Sequence, residues 1–284
     1  MVDEKIKGYG AGTVETVISF EKIAEESKKL FSNKPDAKLL EEIIEKDSYL
    51  SIDLLKSGYG KMEILHDINL RIGEGQSLCL IGPNGAGKST VLHSIFGLND
   101  IFDGTIALKG ENITRLTPHE KLKKAGIAYI LQDSSIFPDM TVEENLWMGG
   151  YLDSTFDNAK DKAVKVLDKY ERLAQRRYDK AKVLSGGERR LLEISRALIM
   201  EPSVLLVDEP SIGLEPKYID MVFNILSDLQ KVDGKTIIMV EQNAKKGLEF
   251  ADIGYVLASG EVVLAGKGDD LLKNEAVGRL FLGG

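Results

Sequence analysis

The chain has 284 residues, 43% of them hydrophobic, and a formal net charge of −8. That is enough apolar material for one large domain or two unequal ones. The acidic balance argues against a surface built for nucleic acid, which shows clustered lysine and arginine. The lone cysteine, Cys79, lies in an apolar run, so it reads as a small buried hydrophobe; it excludes a disulfide framework and suits a reducing compartment such as cytosol.

Residues 1–5 lack the basic-then-apolar order of a secretory signal. No uninterrupted apolar stretch reaches the ~18 residues of a membrane span. The expectation is a soluble chain able to dock on a membrane protein. After a loose leader over residues 3–13, two amphipathic helices are predicted, over about 17–31 and from Pro35 through Ile44. They form a helical N-terminal extension over 1–48. Each needs an apolar surface to pack on, and each other is the nearest.

From Tyr49 the period becomes two. Leu50, Ile52 and Leu54 alternate with Ser51 and Asp53, and Ile68, Leu70 and Ile72 with Asn69 and Arg71, which predicts half-buried antiparallel strands. Four short apolar runs follow, at 78–81, 127–131, 204–207 and 236–240, each before a glycine-rich or acidic turn and a helix. Continuous apolar strands alternating with helices imply an α/β fold with a covered, mainly parallel sheet. Between Gln132 and Leu184 the pattern is mostly helical. A hairpin closes the chain, 253–258 and 261–264 joined by Ser259-Gly260.

The strongest chemical signal is Gly82-Pro83-Asn84-Gly85-Ala86-Gly87-Lys88-Ser89-Thr90, which fits G-x-x-x-x-G-K-[ST] between an apolar strand and an apolar helix. Its glycines let successive N–H groups curl inward around phosphates, and the helix that follows adds its positive end. Lys88 is expected to reach the β- and γ-phosphates and Ser89 to offer a hydroxyl to Mg²⁺. A second site is the acidic end of the apolar strand before Pro210. There Asp208 would hold the metal, usually through water, and Glu209 would orient and polarise the attacking water.

Leu184-Ser185-Gly186-Gly187-Glu188 opens a helix. Ser185 and Glu188 fit a capping box, so by themselves they describe a well-made helix start. Between a P-loop and an acidic strand end, the string resembles the signature of ABC (ATP-binding cassette) ATPases. Further matches extend the resemblance over residues 49–284. Gln132 is similar to the family's Q-loop glutamine, at the hydrolytic centre and the metal. Residues 211–216 resemble its D-loop, and Tyr59 the aromatic that stacks on adenine. The resemblance implies a P-loop NTPase cassette with a mainly parallel core sheet, an antiparallel β subdomain and a helical subdomain over about 133–184. It also implies that Ser185, Gly186, Gly187 and Glu188 face the ATP of a second cassette, so that two chains close head to tail over two nucleotides.

Residues 240–244, 251–257 and the tail from Asn274 resemble the F-type ATPase of branched-chain amino acid importers. Gln242 stands where most cassettes have a switch histidine, as it commonly does in that subgroup; it can donate a hydrogen bond but cannot hold a positive charge near neutral pH. The implied partners are a related G-type ATPase or a second copy, membrane permease subunits meeting the groove beside Gln132 and residues 134–145, and indirectly an extracytoplasmic solute-binding protein. The implied location is the cytoplasmic face of the membrane. Leucine, isoleucine and valine are the implied cargo, with other amino acids, amides or urea-like solutes as alternatives. A soluble assembly ATPase, as in iron–sulfur cluster building, is the alternative function, and a kinase or DNA-repair ATPase a third. His66, His93 and His119 show no metal-ligand spacing and read as structural; the mixed charges over 157–169 read as a solvated helix face.

Overall fold

The computed structural model describes residues 35–45, 47–132, 135–153 and 155–281. The predicted helix over 17–31 and the last residues of the tail lie outside them. Two sheets sandwich one helix. The first sheet is antiparallel: β1 (Ser48–Tyr59) pairs with β2 (Met62–Gly73) and β4 (Asp100–Leu108), and β4 with the short β5 (Glu111–Asn112), in the order β2-β1-β4-β5. The second runs β10-β9-β3-β8-β7-β6. In it β3 (Ser77–Ile81), β6 (Ile127–Ile130), β7 (Val204–Asp208), β8 (Thr236–Val240) and β9 (Ile253–Ala258) are parallel, and β10 (Glu261–Lys267) returns antiparallel. β3, β7, β8 and β9 are buried along their whole lengths, as continuous apolar runs covered on both faces require.

Helix α1 (Ala37–Glu42) precedes β1, and α2 (Lys88–Phe96) lies between the sheets, where Val91, Leu92 and Ile95 join apolar side chains from both. Helices α8 (Pro216–Lys231), α9 (Ala244–Phe250), α10 (Gly268–Leu272) and α11 (Glu275–Phe281) cover the other face of the parallel sheet. A third cluster belongs to α4 (Val142–Gly149), α5 (Phe156–Lys169), α6 (Glu171–Ala174) and part of α7 (Gly186–Leu198). Helix α3 (Pro118–Lys123) links the antiparallel sheet to β6. On α5, Ala159, Ala163 and Leu167 are buried at four-residue spacing and the charges face outward. Helix α7 belongs to two cores at once: Leu191, Leu192 and Ile199 pack with the helical cluster, Ile194 with the sheet.

One local expectation is corrected. Leu54 is 59% exposed with φ 47°, because a bulge between Ile52 and Leu55 hands the inward position to Leu55. Helix α1 buries Leu40 and Ile43 in the cluster built by both sheets; its expected packing on the helix over 17–31 lies outside the described residues. Its Glu41 and Asp53 both pair with Arg71. Among the described residues no helix is long and apolar enough to cross a membrane.

Candidate nucleotide site

Four parallel strands deliver their C-terminal ends to one edge of the sheet, the edge where open α/β sheets hold ligands. β3 ends in the P-loop, β6 in Leu131-Gln132, β7 in Asp208-Glu209 and β8 in Glu241-Gln242. At Gly82 (φ 148°) a Cβ would stand 2.2 Å from the Leu257 carbonyl oxygen, so only glycine lets the loop leave the strand there. The tip of the β9–β10 hairpin braces the loop from outside: the Gly260 amide donates to the Ala86 carbonyl at 3.0 Å. Gly87 is the N-cap of α2 and has no side chain to accept from the helix's first amides. Those amides remain for an anion.

Lys88 is 6% exposed. Its Nζ donates to the carbonyls of Gly82 at 2.9 Å and Pro83 at 3.1 Å. Burial draws its pKa below the ordinary lysine value, against the opposing charges of Glu209 and Asp208. Ser89 Oγ donates to Asp208 Oδ1 at 3.1 Å and the Tyr129 hydroxyl to Oδ2 at 2.9 Å. Glu209 follows with φ 42°, a left-handed conformation uncommon for a residue with a side chain; its amide donates to the Val240 carbonyl at 2.9 Å. Gln132 Nε2 donates to Glu209 Oε2 at 3.1 Å. Burial, then the charge of Asp208, pushes the Glu209 carboxyl above the usual carboxylate range, with Lys88 opposing.

These groups border a cleft of about 590 Å³ lined by Tyr59, Asn84, Gly85, Gly87, Lys88, Ser89, Thr90, Gln132, Glu209 and Gln242, with Ile64 and Ile212. The structure thus brings together the side chains that the sequence singled out from five separate segments. Gly82, Pro83 and Ala86 shape the loop behind them, and Asp208 lies against Ser89. Tyr59 stands at the rim, 45% exposed, its hydroxyl 2.5 Å from His93 Nδ1. Among the described residues no group of three or more His, Cys, Asp or Glu could hold a metal. The Ser89 hydroxyl and Asp208 carboxylate are instead oxygen donors of the kind Mg²⁺ takes while keeping waters and phosphate oxygens, so the residues present fit that ion.

Ser185, Gly186, Gly187 and Glu188 do not line this cleft. Gly186 borders a second one, about 410 Å³, with Gln132, Glu209, Ile212, Gly213 and Leu214. The capping box is complete: Ser185 Oγ accepts from the Glu188 amide at 3.3 Å and Glu188 Oε2 from the Ser185 amide at 2.8 Å. That backbone hydrogen bond is the main cause holding the Glu188 carboxyl below the usual range. A Cβ on Gly187 would stand 2.2 Å from the Tyr218 ring, so α8 approaches the start of α7 as closely as glycine permits. Sequence reasoning did not select Tyr129, which ties β6 to Asp208, nor the link from His93 to Tyr59. Tyr129 lies near the end of β6 on the sheet face that packs against α2, where its ring meets His93 and Phe96.

A glycine-lined anion cradle at one strand end, two acids at the next and a glutamine from a third define a P-loop nucleotide-binding protein. The model of the ABC transporter family matches residues 65–212. The chain belongs to the ABC transporter ATP-binding family, whose members bind nucleotide and hydrolyse ATP. It is 40% identical over 235 residues to the high-affinity branched-chain amino acid transport ATP-binding protein BraG of Pseudomonas aeruginosa, covering 83% of this chain and 100% of that one. It is 39% identical over 229 residues to a probable branched-chain amino acid transport ATP-binding protein LivF of Archaeoglobus fulgidus, covering 81% and 96%. The lipopolysaccharide export ATP-binding protein LptB of Haemophilus influenzae is 31% identical over 238 residues, covering 83% and 98%. Among solved structures, an ABC transporter cassette in its ADP conformation superposes with TM-score 0.74 at 27% identity, covering 84% of this chain and 100% of that one. A dimeric cassette in a post-hydrolysis state with ADP and Pi gives TM-score 0.66 at 26% identity, covering 77% and 98%.

Proposed function

We propose that this chain is one of two ATPase cassettes that energise a membrane importer of branched-chain amino acids from its cytoplasmic face. The observation that carries the reading is the assembled cleft from which Ser185–Glu188 are missing: phosphate-binding and hydrolytic groups converge on one side only, so the other side is left for a second cassette. The dimeric, product-bound relative supports that pairing. The identities of 39–40% with amino acid transport proteins, against 31% with the export protein, support the cargo class.

In this reading the adenine stacks on Tyr59, and Lys88 exchanges the Gly82 and Pro83 carbonyls for β- and γ-phosphate oxygens. The amides of the P-loop and of the start of α2 take the remaining phosphate oxygens. Ser89, Asp208 and Gln132 would hold Mg²⁺, which would neutralise charge on the phosphates. Glu209, made more basic by burial and the neighbouring Asp208, held ionised by Lys88 and aimed by Gln132, accepts the proton of the attacking water. Gln242 donates to the γ-phosphate from the end of β8. Ser185 and the amides of Gly186 and Gly187 serve the partner's nucleotide, with Glu188 holding the serine in place. Residues 49–284 form the cassette, and about 133–184, with α4–α6, its helical subdomain. A groove of about 380 Å³ lined by Phe96, Tyr129, Phe137, Met148, Tyr151 and Arg196 receives a cytoplasmic segment of the permease.

The test is reconstitution in liposomes with the permease subunits, the second ATPase and the solute-binding protein. Uptake of labelled leucine that requires ATP on the cassette side is the expected result. ATP turnover stimulated only by an unrelated solute class would overturn the cargo; ATP turnover indifferent to the permease would overturn the transport role.

A further inference from the structure

The first turns of α7 hold an ion pair that the proposed chemistry does not use. Arg190 and Glu193 are 5% and 8% exposed, and Arg190 Nη1 donates to Glu193 Oε2 at 2.8 Å. The same nitrogen donates to the Leu131 carbonyl at 2.8 Å, and Nη2 to the Asp208 carbonyl at 3.2 Å. The other oxygen of Glu193 accepts from the Ser135 amide at 3.3 Å. Leu131 precedes Gln132, and Asp208 precedes Glu209. One guanidinium thus grips the backbone one residue before each of two groups placed at the hydrolytic centre, and Glu193 holds the far side of the Gln132 loop. Among the described residues Arg190 Nε has no acceptor. A buried pair with an unmet donor is a weak stabilising device, since an apolar pair of similar volume often serves stability as well or better.

We propose that Arg190 and Glu193 are positioning residues that set Gln132 against Glu209. They sit one turn into the helix whose start serves the partner's nucleotide, so a shift of α7 on that nucleotide moves the hydrolytic groups of this chain's own site. The proposal rests on the two-cassette reading above. It requires no contact between the pair and ATP. A helix that engages one site at its tip and braces the other along its flank is a two-position element that both sites bias.

The experiment uses the reconstituted complex with the double variant Arg190→Met/Glu193→Leu, with Arg190→Lys and Glu209→Gln beside it. The double variant is expected to keep its melting temperature within a few degrees and its KM for ATP within about twofold. Its kcat should fall at least tenfold and the cooperativity of hydrolysis in ATP should be lost. Arg190→Lys, which can still donate to one carbonyl, should recover part of the rate, and its conservative character keeps the test open where the double variant does not fold. Wild-type kcat and cooperativity in the double variant, with Glu209→Gln inactive, overturn the clamp alone. Normal turnover in Glu209→Gln overturns the reading of the site, and the clamp with it. A parallel fall in melting temperature and rate in both Arg190 variants makes the pair a structural device and overturns the proposal.

Discussion

Two helices in this molecule start at glycine-rich turns, α2 at Gly87-Lys88 and α7 at Ser185-Gly186-Gly187, and they treat their first amides in opposite ways. α2 has a glycine N-cap in the left-handed region and no side chain to accept from its opening turn. α7 has a full capping box, the arrangement that adds about 1 kcal/mol to a helix start. In the proposed reading, the helix that holds this chain's own phosphate has no side-chain cap on its first amides. In the proposed pairing, the helix offered to a neighbour is satisfied at home and lends only what the box leaves over. Around the first, four strand ends converge and bury charge; around the second, the local sequence suffices and the surface is open. A site built for a resident ligand tolerates buried, strained groups such as Lys88 and Glu209, whereas a docking tip must be stable without its partner.

The sharpest way to break that contrast is at the strained side. Glu209→Gln keeps the volume and the hydrogen bond to Gln132 but removes the base, and kcat of the assembled complex should fall about a hundredfold or more with nucleotide affinity retained, measured by steady-state turnover and by titration of the isolated chain. A smaller effect is expected at the docking tip. Gly187→Ala drives a methyl into the Tyr218 ring and should cost about 1–3 kcal/mol of stability, read by denaturant unfolding. Adding Tyr218→Ala should restore most of it; no restoration would mean that the glycine is needed for its backbone.

The smallest effect concerns the far end of α2. Lys121, wholly buried, donates to the Ser94 carbonyl in the last turn of that helix at 3.2 Å. Burial lowers its pKa to about 8 from the ordinary 10.5. Between those values the unfolded chain binds the proton and the folded chain does not, so this group makes stability rise with pH through that window. Lys121→Met should therefore be the more stable chain at pH 7, with its advantage shrinking as pH passes from about 8 toward 10.5 in chemical denaturation. A pH-independent difference would show that the helix end uses the charge.

Much of this was legible because it is local. The P-loop, the acidic strand end and the capped turn at Ser185 each occupy a few consecutive residues, and the four buried strands announce themselves as short apolar runs. What was not legible depends on distant partners. Leu54 reads as inward until the bulge re-phases the strand. Pro35–Ile44 reads as an amphipathic helix, but which surface takes Leu40 and Ile43 is set by the distant sheets. Arg190 stands one turn before Ile194 on the same helix, but its acceptors, the Leu131 and Asp208 carbonyls, come from distant segments. His93, spaced from every other ligand type, gives no hint in sequence of its bond to Tyr59.

The most direct measurement separates the two helix starts with a single substitution. Ser185→Arg puts bulk and charge at the tip of α7 while leaving the cleft around Lys88 untouched. Nucleotide affinity of the isolated chain should stay at the wild-type value, while ATP turnover of the assembled pair collapses. If the isolated chain loses nucleotide affinity as severely as it does with Lys88→Ala, the tip serves its own site and the two-sided grip on ATP is wrong.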